Sequence, residues 1–251
     1  MDKRLQNKTA LITGGARGIG KAIAKKLAQA GANIVINYFN SSEEADNLCS
    51  ELRDFGVQAY AFQANVADET SVKELLEGFQ KNFSTLDILV NNAASGVLKP
   101  INKMRAKHWR WCVETNALAL VYLTNAFTPL MPEGSSVLAL SSLGAHRVIP
   151  DYSFIGASKA ALESLIRSLS VELAPKNIRC NTISAGAVDT DALAHFPERD
   201  RLLAESEAKS LIGRNITPED VADVAYLLTL PEAHAIRGQT IYVDAGYSIL
   251  S

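Results

Sequence analysis

The sequence predicts one α/β domain, with a parallel sheet of about seven strands and helices on both of its faces. Short apolar runs alternate with longer amphipathic segments along most of the chain, which is typical of consecutive β-α-β units. A length of 251 residues, 47% of them hydrophobic, suffices to build one large core. No repeat, low-complexity tract or linker divides the sequence.

The apolar and amphipathic runs give the order of the elements. Strands are predicted at 9–13, 33–38, 57–62, 86–92, 135–142, 178–184 and 239–246. Helices are predicted at 20–31 and near 43–55, 69–82, 104–128 and 152–174. A further helix should begin after Thr217, because threonine is a favoured N-cap residue and Pro218 suits the first helical position.

A glycine-rich turn, TGGARGIG (13–20), joins the first strand to the first helix. Gly14, Gly18 and Gly20 allow the backbone to turn tightly and to approach a ligand closely. The start of the helix then offers free N–H groups and the positive end of its dipole to a pyrophosphate. With a strand before it and a helix after it, this turn predicts a Rossmann-type doubly wound sheet and a single NAD(P)-binding domain over residues 1–251.

Several further motifs resemble the short-chain dehydrogenase/reductase family, and the resemblance covers essentially the whole chain. The motifs are NNAA (91–94), NVADE (65–69), SAGAVDT (184–190) and GQTIYVDAG (238–246), together with Asn116 at the place of the family's central-helix asparagine. Asn65 replaces a common aspartate, and SAGAVDT lacks the family's proline. The resemblance implies a cofactor-binding set made of Gly14, Arg17, Gly18, Ile19, Gly20, Tyr38, Asn65, Val66, Asn92, Lys159, Val188 and Thr190.

The end of the second strand favours NADPH over NADH. An acidic residue there would bind the ribose 2′-hydroxyl and repel a 2′-phosphate, but the segment INYFNSS contains no acid before Glu43. Arg17 is placed in the glycine turn, where its guanidinium could pair with that phosphate. Against this, Phe39 stands where many NADPH-using relatives carry a basic residue, and Arg17 could be an ordinary surface charge.

The segment DYSFIGASKAAL (151–162) carries the candidate catalytic pair, Tyr152 and Lys159. In most of the family the tyrosine lies four residues before the lysine, a position that Ile155 occupies here. On a helix, a spacing of seven residues places two side chains on one face about 10 Å apart along the axis, against about 6 Å for a spacing of four. Ser142 keeps the family's serine position and either takes part in the chemistry or only satisfies local hydrogen bonds.

A displaced hydroxyl favours conjugate reduction. In a ketone the proton donor must lie beside the carbon that accepts hydride, whereas in an enoyl thioester hydride goes to the β-carbon and charge develops on the more distant carbonyl oxygen. The Y-x6-K spacing and the segments SSLGAHR, SKAALE and AVDTDALAHFP resemble the NADPH-dependent enoyl-acyl-carrier-protein reductase III group. This resemblance implies reduction of trans-2-enoyl thioesters in fatty acid synthesis or a related pathway. Tyr152 would be the donor to the enolate oxygen. Lys159 would be a ligand of the nicotinamide ribose, and its charge should lower the pKa of the phenol.

Three alternatives stay open at this point. The chain could be a carbonyl or 3-ketoacyl reductase, or a tailoring reductase of specialised metabolism, although Ile155 argues against ordinary ketone reduction. It could also be a non-catalytic NADP-binding sensor. Tyr152 itself could be only an aromatic residue at the entrance of a helix, with Lys159 alone serving the cofactor.

Residues 187–213 form the longest insertion and are predicted to cover the substrate as a lid. Its apolar residues either line an acyl channel or form the packing side of two short helices: Leu193, Phe196, Leu202, Leu203, Leu211 and Ile212. An acyl carrier protein is acidic, so its docking site should be basic. Arg199 and Arg201 are candidates, as is a basic run made of Lys99, Lys103, Arg105, Lys107 and Arg110 beside Trp109 and Trp111. Family resemblance also implies a homotetramer.

Composition argues against several other classes of protein. A formal net charge of −2 gives no basic face for nucleic acid, and the apolar run at 117–123 is too short to span a bilayer. The N-terminus has no apolar signal core, and three scattered cysteines favour reduced thiols, so we expect a cytoplasmic protein. The four histidines show no ligand spacing, and no metal is expected.

Overall fold

The computed structural model describes residues 3–194, 196 and 198–250. Met1, Asp2, His195, Pro197, Ser251 and the side chain of Ala192 lie outside this description, including the part of the predicted lid at 195 and 197.

Strands and helices alternate in the predicted order. The strands are β1 (Thr9–Thr13), β2 (Asn33–Tyr38), β3 (Ala59–Gln63), β4 (Ile88–Asn91), β5 (Ser136–Ser142), β6 (Arg179–Ala185) and β7 (Thr240–Val243). The helices are α1 (Gly18–Gln29), α2 (Ser42–Arg53), α3 (Glu69–Gln80), α4 (Ala106–Val113), α5 (Ala119–Phe127), α6 (Ser153–Glu172), α7 (Asp191–Ala194), α8 (Arg199–Ala208) and α9 (Pro218–Thr229). Within the described residues the seven strands form one sheet in the order β3-β2-β1-β4-β5-β6-β7, and all neighbours are parallel. The predicted doubly wound fold is confirmed.

Successive residues of the central strands face two separate hydrophobic layers. On β1, Ala10 and Ile12 belong to the cluster that includes α1, α2 and α9. Leu11 between them belongs to the cluster that includes α3, α5 and α6. Because strand side chains alternate between the two faces, strands apolar at every position require helices on both sides.

The order of the strands places a cleft at one edge of the sheet. From β1 the chain first builds outward through β2 and β3, and then returns to add β4 on the other side of β1. The connections leaving the carboxyl ends of β1 and β4 therefore diverge, and ligands of doubly wound sheets bind at such a point.

Several boundaries differ from the prediction by a few residues, and three of these differences have a structural consequence. The predicted helix at 104–128 is interrupted by a π-helical turn, Glu114–Leu118, between α4 and α5. Helix α6 begins at Ser153, so Tyr152 is its N-cap residue and not a residue on its face. The last strand ends at Val243, because Asp244 turns the chain by accepting hydrogen bonds from the N–H groups of Gly246 and Ser248.

In the part of the chain that the structure describes, no helix combines the length and the hydropathy needed to cross a bilayer.

Helix α9 begins with the predicted cap. Thr217 and Asp220 form a capping box, and Arg214 donates hydrogen bonds to both Asp220 carboxylate oxygens at 2.6 and 2.9 Å. The hydrogen bonds from Arg214 are the largest cause lowering the pKa of Asp220 from 3.8 to about 2. A depressed carboxyl pKa adds stability that is present above its unfolded value and is lost as the pH falls toward 2.

We predict that the unfolding free energy of Asp220→Asn falls less at acid pH than that of the wild type. The wild type should lose about 1 kcal/mol more unfolding free energy than the variant between pH 6 and pH 3, measured by urea denaturation at each pH. Parallel pH profiles for the two proteins would contradict this role of Asp220.

Candidate active site

A cleft of about 1090 Å³ opens at the carboxyl ends of the strands, where the fold predicts a ligand site. Almost the whole predicted set lines it. The lining members are Gly14, Arg17, Gly18, Ile19, Tyr38, Asn65, Val66, Asn92, Ser142, Tyr152, Lys159, Val188 and Thr190. Gly20, the remaining member, does not line the cleft but packs closely against Gly14 and Asn92.

The glycines of the turn stand where a side chain would be strained or would clash. Gly14 and Gly18 have φ values of +60° and +53°, which favour glycine. A Cβ atom on Gly20 would lie 2.5 Å from the Gly14 carbonyl oxygen and 2.6 Å from Nδ2 of Asn92. The start of α1 is therefore open to a close-approaching phosphate, so this part of the cleft fits a dinucleotide.

Asn92 fixes the turn, and Thr13 fixes Asn92. The Asn92 side-chain amide donates to the carbonyl oxygens of Thr13 and Gly14 at 2.9 and 3.0 Å. The Thr13 hydroxyl oxygen accepts from the backbone N–H groups of Asn92 and Ala93, both at 3.0 Å. Thr13 was not predicted as a site residue, although its place at the end of β1, directly before the glycines, was a usable signal.

The end of β2 contributes Tyr38 and Phe39 to the cleft wall and no carboxylate. Arg17 lies across the turn from them, with its side chain 61% exposed, and pairs with Asp191 of the lid at 3.5 Å. Thr190 also touches the turn, since its Cγ2 lies 3.4 Å from where a Gly18 Cβ would be. The lid and the glycine turn thus meet beside the cleft.

Asn65 acts through its own turn. Its side-chain oxygen accepts from the Ala67 N–H at 3.1 Å, and its backbone N–H donates to the Ser71 hydroxyl at 2.9 Å. The side chain thus fixes the turn that presents Val66, which is 5% exposed, at the cleft. An amide does this work as well as the aspartate that is usual in the family.

Tyr152 is held in the cleft by two glycines and the lid. A Cβ atom on Gly144 would lie 2.5 Å from two carbon atoms of the Tyr152 ring, and one on Gly156 would lie 2.4 Å from the Gly144 carbonyl oxygen. On the lid, the Phe196 ring centroid lies 5.7 Å from that of Tyr152. Gly144 and Gly156 were not predicted as site residues, because their function is to be small.

The structure brings Tyr152 and Ser142 together. The pKa of Tyr152 is raised by burial first, and a hydrogen bond with the Ser142 side chain opposes this rise. The expected lowering of this pKa by Lys159 is not found among its causes. At neutral pH the phenol therefore keeps its proton, as a proton donor must.

Lys159 lies under the cleft, 5% exposed. Its ammonium donates to the Leu140 carbonyl oxygen at 2.6 Å. Burial lowers the pKa of Lys159 from 10.5 to about 8, and the charge of Glu163 opposes this change. Lys159 is thus a buried cation close to its titration range at physiological pH.

Ile155 occupies the sequence position, four before Lys159, at which most of the family has its tyrosine. It is 9% exposed, and its Cγ1 lies only 2.3 Å from where a Gly96 Cβ would be. The buried Cys112 sulfur lies 3.2 Å from the same point. One turn before Lys159 the helix therefore makes an apolar contact, while Tyr152 and Ser142 both line the cleft.

Asn116 connects the walls of the cleft. It lies in the π-helical turn, where its side chain exchanges two hydrogen bonds with the backbone of Ser95, at 2.8 and 2.9 Å. Its amide also donates to the Ser158 hydroxyl at 2.8 Å, next to Lys159. Single-turn π segments are frequent at functional sites, and here one aims a buried amide at α6.

The lid contains the short helices α7 and α8. Three of its six predicted apolar residues line the cleft: Leu193, Phe196 and Leu202. Leu211 and Ile212 are 64% and 53% exposed, and Leu211 packs against Gly246. Of the six residues, those lining the cleft thus lie in the first half of the lid, and the acyl channel stays a prediction.

The two candidate carrier-docking surfaces differ. Arg199 pairs with Asp189 and Asp200, and Arg201 pairs with Glu198, so the predicted cations of the lid are neutralised. The basic run at 99–110 is exposed, and within the described residues none of its five cations forms an ion pair. The exposed Trp111, at the end of this run, lines the cleft.

Comparison with known proteins identifies the family. A family model described as "Enoyl-(Acyl carrier protein) reductase" matches residues 14–248. The chain is 33% identical over 252 residues to the 1-cyclohexenylcarbonyl-CoA reductase of Streptomyces collinus, covering 98% of this chain and 89% of that protein. It is 33% identical over 244 residues to a 3-oxoacyl-[acyl-carrier-protein] reductase of Staphylococcus aureus, covering 95% and 97%.

A solved structure agrees with this. A short-chain dehydrogenase from Burkholderia cenocepacia in complex with NADP superposes with a TM-score of 0.91 at 32% identity, covering 98% of this chain and 99% of that one. The chain belongs to the short-chain dehydrogenase/reductase family and is an NAD(P)-dependent oxidoreductase.

We predict that Gly144→Ala destabilises the protein by about 1–3 kcal/mol, because the added methyl group overlaps the Tyr152 ring. In a Tyr152→Ala background the same substitution should cost clearly less, a coupling that a double-mutant cycle by chemical denaturation measures. An equal cost in both backgrounds would show that Gly144 does not seat the tyrosine.

Proposed function

We propose that this protein is an NADPH-dependent reductase of the carbon–carbon double bond of trans-2-enoyl thioesters, carried by acyl carrier protein or coenzyme A. The observation that carries the proposal is the pair of Ile155 and Tyr152. An apolar residue occupies the position four before Lys159, while the phenol seven before it lines the cleft together with Ser142.

The residues of the cleft suit the reduction of an extended conjugated acyl group. Bound NADPH supplies a hydride. Hydride addition at the β-carbon moves the π electrons toward the thioester and leaves negative charge on the carbonyl oxygen. Tyr152, protonated at neutral pH, donates to that oxygen, and the Ser142 hydroxyl orients the phenol. The resulting enol returns to the thioester when its α-carbon takes up a proton and the oxygen releases one.

Apolar side chains provide the acyl end of the site. Leu193, Phe196 and Leu202 come from the lid, and Ile149 from the loop before α6. Expelling water from this wall strengthens the hydrogen bond from Tyr152 to a developing enolate.

The two relatives favour different substrate classes. A 1-cyclohexenylcarbonyl-CoA reductase acts, by its name, on a conjugated thioester, and so supports enoyl reduction here. The Staphylococcus aureus relative acts on 3-oxoacyl carrier proteins, which keeps 3-oxoacyl reduction as the second candidate. In that reaction the phenol must lie beside the carbon that accepts hydride, a position that Ile155 leaves without a donor.

For the partner, we propose that carrier-bound substrate docks on the basic run at 99–110. Its unpaired cations suit an acidic surface, and Trp111 lies where the run meets the cleft. The homotetramer implied by family resemblance stays a prediction.

For the cofactor, we propose NADPH over NADH, with Arg17 exchanging Asp191 for the 2′-phosphate. Arg17→Ala should raise the Kd for NADPH about tenfold, since hydrogen bonds to charged groups contribute about 1.5–3 kcal/mol, and should leave the Kd for NADH unchanged. Nucleotide fluorescence titration measures both constants. Lys25→Ala, another exposed cation of α1, is the matched control. An equal rise in the Kd values for both nucleotides would show that Arg17 does not recognise the 2′-phosphate.

For the reaction, NADPH oxidation should be faster with crotonyl-CoA or crotonyl carrier protein than with acetoacetyl-CoA. Tyr152→Phe should keep the Kd for NADPH and lower kcat/KM for the crotonyl thioester at least about a hundredfold, the usual contribution of a positioned acid. Tyr60→Phe, far from the cleft on β3, should match the wild type. Faster turnover of the ketone, or full activity of Tyr152→Phe, would reject the proposal.

A further inference from the structure

A buried acidic group lies next to the active-site lysine and has no part in the chemistry above. The Glu163 carboxylate is 1% exposed and follows Lys159 by four residues, or about one turn of α6. Ser141 Oγ donates to its Oε1 at 2.5 Å, and His146 Nε2 contacts its Oε2 at 2.5 Å. A carboxylate in such a place is costly unless several partners hold it in its charged form.

His146 connects this group to solvent. Its side chain is 49% exposed, whereas that of Glu163 is 1% exposed, so the imidazole lies between the carboxylate and solvent. The ring can donate from Nε2 both as the neutral tautomer with hydrogen on that nitrogen and as the imidazolium. Loss of this donor would leave the buried carboxylate with one hydrogen-bond partner fewer and free to move from its place.

The other groups around Glu163 come from the neighbouring strands. The β7 side contributes Tyr242, whose ring centroid lies 6.3 Å from that of His146, and Asp244. The pKa of Tyr242 is raised by burial first and then by the charges of Glu163 and Asp244, while Arg147 opposes the rise. On β6, Ser184 pairs in register with Ser141 and is uncharged.

Lys159 is the buried cation close to Glu163. It approaches the backbone oxygen of Leu140, which is neutral, and the charge of Glu163 is the influence that raises its pKa against the effect of burial. Removal or displacement of the Glu163 carboxylate would leave the ammonium without that support.

We propose that Glu163 and His146 are positioning residues for Lys159: the Glu163 carboxylate keeps the buried ammonium charged, and His146 holds that carboxylate in place through its hydrogen bond. The consequence for cofactor binding rests on the proposed function, in which Lys159 holds the nicotinamide ribose. The charge of Lys159 itself does not depend on which substrate is reduced.

The sign of the effect follows from the direction of each shift. Lys159 loses its proton as the pH rises through about 8. Without the negative charge of Glu163 it should lose the proton at a lower pH, and the alkaline rise in the Kd for NADPH should move to lower pH with it.

The test is a titration of Lys159 in the full chain without cofactor or substrate. In protein labelled with ¹³C at lysine Cε, the Lys159 signal is assigned by its absence in Lys159→Arg and followed by NMR from pH 6 to 10. Glu163→Gln should lower the midpoint by about one pH unit or more, the usual effect of losing a close opposite charge. His146→Ala should lower it in the same direction, and His146→Gln, which keeps a donor, should restore it. His234→Ala, at another exposed histidine, should leave it unchanged.

Unchanged midpoints in both Glu163→Gln and His146→Ala would overturn the proposal. A shift in Glu163→Gln alone would reject the role of His146. If Glu163→Gln does not fold, the two variants of the half-exposed His146 still decide. An unchanged Lys159 midpoint in His146→Ala would then overturn the proposal. The Kd for NADPH, measured across the same pH range, should follow the NMR midpoints. Because neither readout uses a thioester, a wrong substrate assignment would leave both results standing.

Discussion

The close contact between Gly144 and the Tyr152 ring is the constraint on which the rest of the site depends. The ring can lie beside Ser142 only because the serine loop has no side chain at Gly144 and α6 has none at Gly156. The left-handed backbone of Asp151, with φ of +62°, brings the chain into this position just before the helix begins. The loop and the two glycines thus fix the position of the phenol, and the first turn of α6 lies next to it as structural support.

Around this contact the protein buries two charged side chains, and hydrogen-bond partners offset the desolvation cost. Lys159 and Glu163 lie on one helix, 5% and 1% exposed, and each needs partners inside the fold. The carbonyl of Leu140 and the side chains of Ser141 and His146 supply them. Strand β5 and the loop after it therefore hold the serine, the tyrosine and the buried charges together. We regard this segment as the organising element of the site.

The sequence predicted the fold and the cofactor side of the cleft well, because both rest on local patterns. Strands apolar at every position, a glycine turn and the capping residue Thr217 act over a few residues each. The π-helical turn at Asn116 and the packing of Gly144 on Tyr152 were not predictable in this way, since they arise from contacts between distant segments. Spacing along an ideal helix also could not place Tyr152, because Tyr152 lies before the first turn of α6.

The most direct measurement of the central claim is a crystal structure of the wild type with NADP⁺ and a crotonyl thioester, a pair that cannot react. The account predicts that the Tyr152 hydroxyl lies within hydrogen-bonding distance of the thioester carbonyl oxygen, and that the β-carbon faces C4 of the nicotinamide. A carbonyl carbon over C4, or a phenol turned away from the thioester, would contradict it.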